Sequence, residues 1–203
     1  MKKIFLTLVT AAVLFAFGGF VEAAPFTQEQ VDKLMNSVNQ NPAASPDNKS
    51  LLMLTPAQFK TNFNTELRPV ISQAKYDNDD ERALMEQIFL IKDYTVFEAE
   101  GGLFYLNVFG NNTAIFGVTG NDSNRFKLLN CAYTKPENPG EEMVSSMVLL
   151  AFVTVVAPEE NPQQLLKDLG AEESGTLIRG GVKFSASTDG DGLVLLSAVK
   201  AAD

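Results

Sequence analysis

Histidine is absent from this 203-residue chain. Its absence removes the Ser-His-Asp and Cys-His catalytic arrangements, imidazole-built zinc sites and the usual general base at neutral pH. An enzyme built on this chain would have to run on carboxylates, Lys, Tyr or Ser. Cysteine is almost as scarce. Cys131 is the single one, so no intramolecular disulfide can form. It lies in an alternating run between Leu129 and Tyr133, with no histidine or evident cation beside it. Free Cys is among the most buried residue types, and Cys131 reads as structural filler.

Positive charge is also thin. The chain has 16 basic and 25 acidic side chains, and its four arginines (Arg68, Arg82, Arg125, Arg179) are scattered. Nucleic acid and anionic membranes both require clustered Lys and Arg, so nucleic acid is not an expected partner. No Lys-Ser/Thr follows the glycines of Gly175–Gly181, which excludes a P-loop. No cofactor motif is present and no cofactor is expected. Three sequons (Asn48-Lys49-Ser50, Asn111-Asn112-Thr113, Asn121-Asp122-Ser123) are expected to be idle in a bacterium.

The N-terminus carries the clearest positive signal. Lys2 and Lys3 precede an apolar run from Ile4 to Phe20, and Val21-Glu22-Ala23 puts small residues at −3 and −1 of a signal-peptidase site. Residues 1–23 are therefore expected to be a signal peptide, cleaved before Ala24. No Cys stands near that site and there is no twin-arginine pair. The expected product is exported, periplasmic or secreted, not lipid-anchored, and not inserted in a membrane after cleavage. Loss of the leader leaves 14 basic and 24 acidic side chains on 180 residues, enough for one domain with a substantial core. The most apolar later run, Met143 to Ala157, is short and holds Ser145, Ser146 and Thr154, which fits a buried core helix.

Phe26 to Asn39 opens on a capping-box pattern and carries an apolar stripe of Val31, Leu34, Met35 and Val38, so a helix is expected there. Gln40 to Ser50, with Pro42 and Pro46, reads as a linker. Residues 24–50 are taken as N-terminal helix and linker, and 51–203 as a single domain. Thr55-Pro56 is a helix start, and Phe59, Phe63 and Leu67 share one face. Pro69 is expected to end that helix near Arg68, and Asp77 to Glu81 to form an acidic loop. From Tyr94 the period becomes two: Tyr94–Glu98, Leu103–Phe109, Thr113–Thr119 and Arg125–Thr134 read as a meander of strands. A buried helix to about Val156 follows, then an amphipathic helix to Leu169 capped by Gly170, then a hairpin of Val182–Ser187 and Leu193–Val199. The expected fold is α+β, a two-layer sandwich with an antiparallel meander sheet packed against helices. The order is helix, four strands, two helices, two strands.

The signal peptide, the Thr55-Pro56-x-x-Phe59-x-x-x-Phe63-Asn64 opening, the meander, the proline-divided helix pair and the closing hairpin resemble a loosely defined set of small exported bacterial α+β proteins. The likeness covers roughly Thr55 to Ala201. The topology is similar to PsbP-like sandwiches, a resemblance that implies a binding or assembly module. It carries over no functional residue. The long Asp77–Glu86 approach to the first strand departs from that set.

Asp189-Gly190-Asp191-Gly192 invites a calcium reading, but an EF-hand loop starting there needs Gly and Glu where Val194 and Lys200 stand. Asp-Gly between apolar runs is a hairpin turn. Asp77–Glu81 fails the same test, with Arg82 and Ile88 at those places, and reads as a solvated acidic loop, with a weak extracellular calcium site as the alternative; no metal residue is assigned. Glu98, Glu100, Glu141 and Glu142 could supply a carboxylate pair for glycoside chemistry, though nothing chooses among them, and no catalytic residue is assigned.

One feature of the sheet points to function. If Asn111-Asn112 is a two-residue turn, Gly110 pairs with Thr113. One face then holds Phe104, Leu106, Val108 and Ile115, and the other Tyr105, Asn107, Phe109, Phe116 and Val118. Both are apolar, whereas a half-covered sheet shows polar residues on its free face. Either the N-terminal helix or closing hairpin covers the second face, or it is a partner-binding surface. The leading reading is an exported non-enzymatic binding or assembly domain, its partner an envelope protein, a small ligand or a second copy of itself. The alternative is a carboxylate-dependent hydrolase acting on cell-envelope material.

Overall fold

Among the described residues, four helical segments begin on the same two-residue device, a capping side chain followed by proline. Asn41-Pro42, Thr55-Pro56, Asn138-Pro139 and Asn161-Pro162 each place an oxygen on a backbone N–H two or three residues ahead, with proline where no N–H is needed. The computed structural model describes residues 28–45, 50–76, 78–99, 102–120, 124–189 and 192–202. The expected signal peptide, Asp77, Glu100, Asn121–Ser123 and the Gly190-Asp191 tip lie outside the described residues.

The helices are α1 (Gln28–Asn39), α2 (Pro56–Gln73), α3 (Asp79–Phe89), α4 (Pro139–Val156) and α5 (Pro162–Ala171), with a 3-10 turn at Pro42–Ala44. The strands are β1 (Thr95–Ala99), β2 (Gly102–Phe109), β3 (Thr113–Thr119), β4 (Phe126–Tyr133), β5 (Thr176–Arg179), β6 (Val182–Thr188) and β7 (Val194–Lys200). All pairings are antiparallel, in the order β1-β2-β3-β4-β7-β6-β5. The class is α+β. The pair α4–α5 carries the chain across the sheet, and the last three strands meander back to lay β7 against β4.

Two elements exceed the sequence expectation. The acidic run is not a loop but the start of α3. Asn78 accepts from the Glu81 amide at 2.9 Å, and Asp79, Asp80 and Glu81 fill the first turn, where the helix dipole favours them. Met85 and Phe89 then anchor it in the core. The strand β5 was also unforeseen. It pairs with β6 through Gly180-Gly181, whose φ values of +56° and +73° suit a two-residue hairpin turn with both central residues left-handed.

The helix α2 does not stop at Arg68. It runs through Pro69 to Gln73, because Val70 and Ile71 are buried on the face that Phe59, Phe63 and Leu67 began. Their burial offsets the roughly 3 kcal/mol that an interior proline costs. Gly170 likewise lies inside α5 rather than capping it.

The principal core lies between the sheet's inner face and α2–α5. It centres on Phe59, which meets Phe63, Phe126 and Phe152 at 5.7–6.4 Å between ring centroids. By length and composition α4 could cross a membrane, but it is the core helix, in contact with α2, α5 and three strands. Asn64 joins α2 to the start of the sheet: its amide donates to the Ile91 carbonyl and accepts from the Ile91 amide, both at 2.9 Å.

A second cluster lies on the outer face. Leu34 and Val38 of α1, with Ala44, bury Phe104, Leu106, Ala114, Phe116, Val118, Leu128 and Ala132. Over β2–β4 the molecule therefore has three layers, not two. Packing also begins at α1, before the boundary expected near Leu51. The Gln40–Ser50 stretch is not a free spacer where described. Lys127, at a β-bulge in β4, is buried and donates to the Ser45 carbonyl at 3.1 Å, pinning the strap.

Candidate functional site

The register of β2 and β3 decides what became of the expected binding face. Phe109 pairs with Thr113, so the loop has three residues, Gly110-Asn111-Asn112, rather than two. Gly110 adopts φ +56°, which lets the chain turn one residue early. A one-residue shift moves every side chain of one strand to the opposite face relative to the other. The five residues are accordingly divided. Tyr105, Asn107 and Phe109 share the inner face with Ile115, while Phe116 and Val118 share the outer face with Phe104 and Leu106. The single surface expected from Tyr105, Asn107, Phe109, Phe116 and Val118 does not exist.

None of the five presents an open apolar face. Phe116 and Val118 are buried in the cluster roofed by α1, and Phe109 packs on Phe63 at 5.3 Å. Asn107 is half-buried and donates to the Val108 carbonyl. Tyr105 is also half-buried, edge-on to Tyr94 at 5.6 Å and to Phe126 at 5.8 Å. Burial first, then the neighbouring Tyr105, pushes the Tyr94 phenol far above its ordinary range, and its hydroxyl donates to the Pro56 carbonyl.

Two neighbouring exposed apolar side chains lie instead at the β1 end of the sheet. Val96 pairs with Tyr105, and Glu98 pairs with Leu103, so Val96, Leu103 and Tyr105 are neighbours on the inner face. Val96 is 47% and Leu103 42% exposed. Beside them runs the free edge of β1, whose described residues make no backbone hydrogen bond to any strand but β2. Lys60 reaches the Lys92 carbonyl and the Asp93 carboxylate, fixing the entry to the strand. An exposed strand edge flanked by apolar side chains is a template for pairing with another chain.

Among the described candidate carboxylates, Glu98 and Glu141 stand far apart. Glu98 lies opposite Leu103, near the start of β2. The start of α4 is tied to the other end of that hairpin, where Ser145 bonds Asn112 and Thr113 at 2.9 and 3.1 Å. Six residues of strand, about 20 Å, separate the two ends. Glu141 accepts from the Glu137 amide at 2.7 Å and so serves the turn before its own helix. Among the described residues no cluster of three or more His, Cys, Asp or Glu could hold a metal ion. Cys131 is fully buried, and burial pushes its thiol well above the usual range. No family model, curated protein or solved structure matches this chain.

Proposed function

We propose that this is an exported, non-enzymatic binding or assembly domain whose contact surface is the β1–β2 end of the sheet. The observation that carries the reading is the half-exposed pair Val96 and Leu103 beside an unpaired strand edge. Strand addition at such an edge draws affinity from main-chain hydrogen bonds and specificity from alternate side chains. The same end of the sheet is held rigid by the Tyr94–Tyr105–Phe126 ring series. Export is part of the proposal and rests on the N-terminal leader.

Native mass spectrometry of protein taken from its own envelope tests both parts. The chain is expected to begin at Ala24 and to retain a bound protein or ligand, which Val96→Lys releases. A mature chain retaining Lys2 and Lys3 refutes export to the soluble envelope. A bare wild-type chain that instead cleaves envelope polymers, losing that activity on Glu98→Gln, refutes the binding reading in favour of the hydrolase.

A further inference from the structure

We infer that β1 pairs with β1 of a second copy of this chain, joining two seven-stranded sheets across a two-fold axis. The inference rests on the edge being the contact surface and goes further by naming its occupant.

The two edges of the sheet differ. The strand β5 has four residues, ends at Gly180-Gly181, and carries Arg179, whose guanidinium lies 3.7 Å from Asp168. Its exposed Ile178 stands opposite Lys183. Shortness and basic charge are common protections of an edge. The strand β1 has five residues, contains neither Lys nor Pro, and is preceded by Lys92-Asp93-Tyr94 without a helix between. Within the strand the single charge is Glu98, and the nearest cation along the chain is Lys92, three residues before Thr95.

The side chains around β1 complement themselves. The inner face holds Tyr94, whose ring meets Tyr105, and Val96, which pairs with Tyr105. Glu98 follows on the same face, and Lys92, two residues before Tyr94 in the segment that enters the strand, would share that face if the pairing extends the strand backward. An antiparallel pairing of two copies about Thr95 sets Tyr94 opposite Val96 of the second copy and Lys92 opposite its Glu98, each twice. Aromatic–β-branched and opposite-charge cross-strand pairs are the favourable kinds. Glu98 then faces a cation rather than its own copy. A two-fold contact uses the same patch on both subunits, and one short self-complementary strand satisfies that requirement. So small a contact implies a weak dimer, with Kd of roughly 10–100 µM.

Sedimentation equilibrium of the chain from Ala24, from 1 µM to 1 mM, tests this. A monomer–dimer equilibrium is expected. Val96→Lys should abolish it, and as Val96 is half-exposed the variant should keep the wild-type circular dichroism. Glu98→Lys should weaken dimerisation roughly tenfold by setting Lys against Lys92 twice. Adding Lys92→Glu should restore it, an outcome that general loss of stability would not produce. A chain monomeric at 1 mM overturns the inference, as does a dimer indifferent to both Val96→Lys and Glu98→Lys. If the wild type is monomeric yet loses another bound protein on Val96→Lys, the second copy is refuted while the edge as contact surface stands. Failure of the double charge exchange to restore a dimer that Glu98→Lys weakened refutes the Thr95-centred pairing.

Discussion

Replacing Phe116 with lysine asks directly whether α1 roofs the outer face. Phe116 is 1% exposed, its ring 5.8 Å from that of Phe104, and it shares a buried cluster with Leu34 and Val38 of α1. Removing a buried phenylalanine side chain costs about 3–5 kcal/mol, and an ammonium forced into the same layer adds its own desolvation. Against a total stability of roughly 5–15 kcal/mol, Phe116→Lys should cost at least about 3 kcal/mol. At a urea slope of roughly 2 kcal/mol/M the midpoint falls by about 1.5 M or more. Urea titration followed by circular dichroism reads this out. The roof can be tested separately by deleting residues 24–50 from the mature chain. That uncovers Phe104, Leu106, Phe116, Val118 and Leu128 together, so an apolar dye should bind the folded truncated protein. In that background the lysine reaches water, and its cost should shrink by more than about 1 kcal/mol relative to the full chain. A loss below about 1 kcal/mol in the full chain, or identical costs in both backgrounds, would refute the three-layer account.

Cys131→Ser probes the core. The buried thiol is held protonated while an unfolded thiol ionises near pH 8.5, so wild-type stability should fall by up to about 1.4 kcal/mol per pH unit above that pH. The urea midpoint of the serine variant should lose this slope, and wild-type Cys131 should label rapidly only after unfolding. Asn64→Leu leaves the Ile91 amide and carbonyl unpaired in the core and should cost about 2–4 kcal/mol by thermal or urea melting. Gly117→Ala sets a Cβ 2.5 Å from the Leu128 carbonyl oxygen, so strands β3 and β4 must part. The variant should express poorly or lose about 3 kcal/mol, and a melt within 2 °C of wild type would contradict that contact. Chelator and millimolar calcium should leave the melting temperature unmoved, since Asp79–Glu81 are engaged in starting α3. A calcium-induced rise above about 5 °C, roughly 1 kcal/mol or more, would show a site in the acidic segments.

Much of the architecture was legible because local and tertiary signals agreed. Thr113–Thr119 forms β3 as read, and the apolar run after Pro139 is the core helix. The Thr55-Pro56 start was visible because cap and proline act within one turn. The misses have physical causes too. The Asn78 cap with acids at its next three positions is as good a helix start as Thr55-Pro56, but a dense run of charge also fits a solvated loop. Only the burial of Met85 and Phe89 four residues apart decides it. Pro69 is a local stop signal, but tertiary burial of Val70 and Ile71 overrides its cost. The strand β5 has four residues, too few for a periodicity to register, although Gly180-Gly181 marked its hairpin.

The contact surface was harder to place, for a reason set at Gly110. Both faces of β2 and β3 carry buried apolar side chains. Which side chains share a face depends on one residue of loop length, and two- and three-residue loops both suit Gly-Asn-Asn. Once Phe109 pairs with Thr113, Phe116 passes beneath α1 and Tyr105 turns toward the helices. The apolar stripe of α1 supplies the roof: Leu34 and Val38 are buried on the outer face of β2–β4, with Val31 and Met35 packed at its margin. What remains open to solvent is set by coverage rather than by pattern. Val96 and Leu103 alternate as core residues do, yet each is close to half exposed. No periodicity reports where a neighbouring layer stops. An edge site of this kind becomes visible only when strand order and coverage are known together.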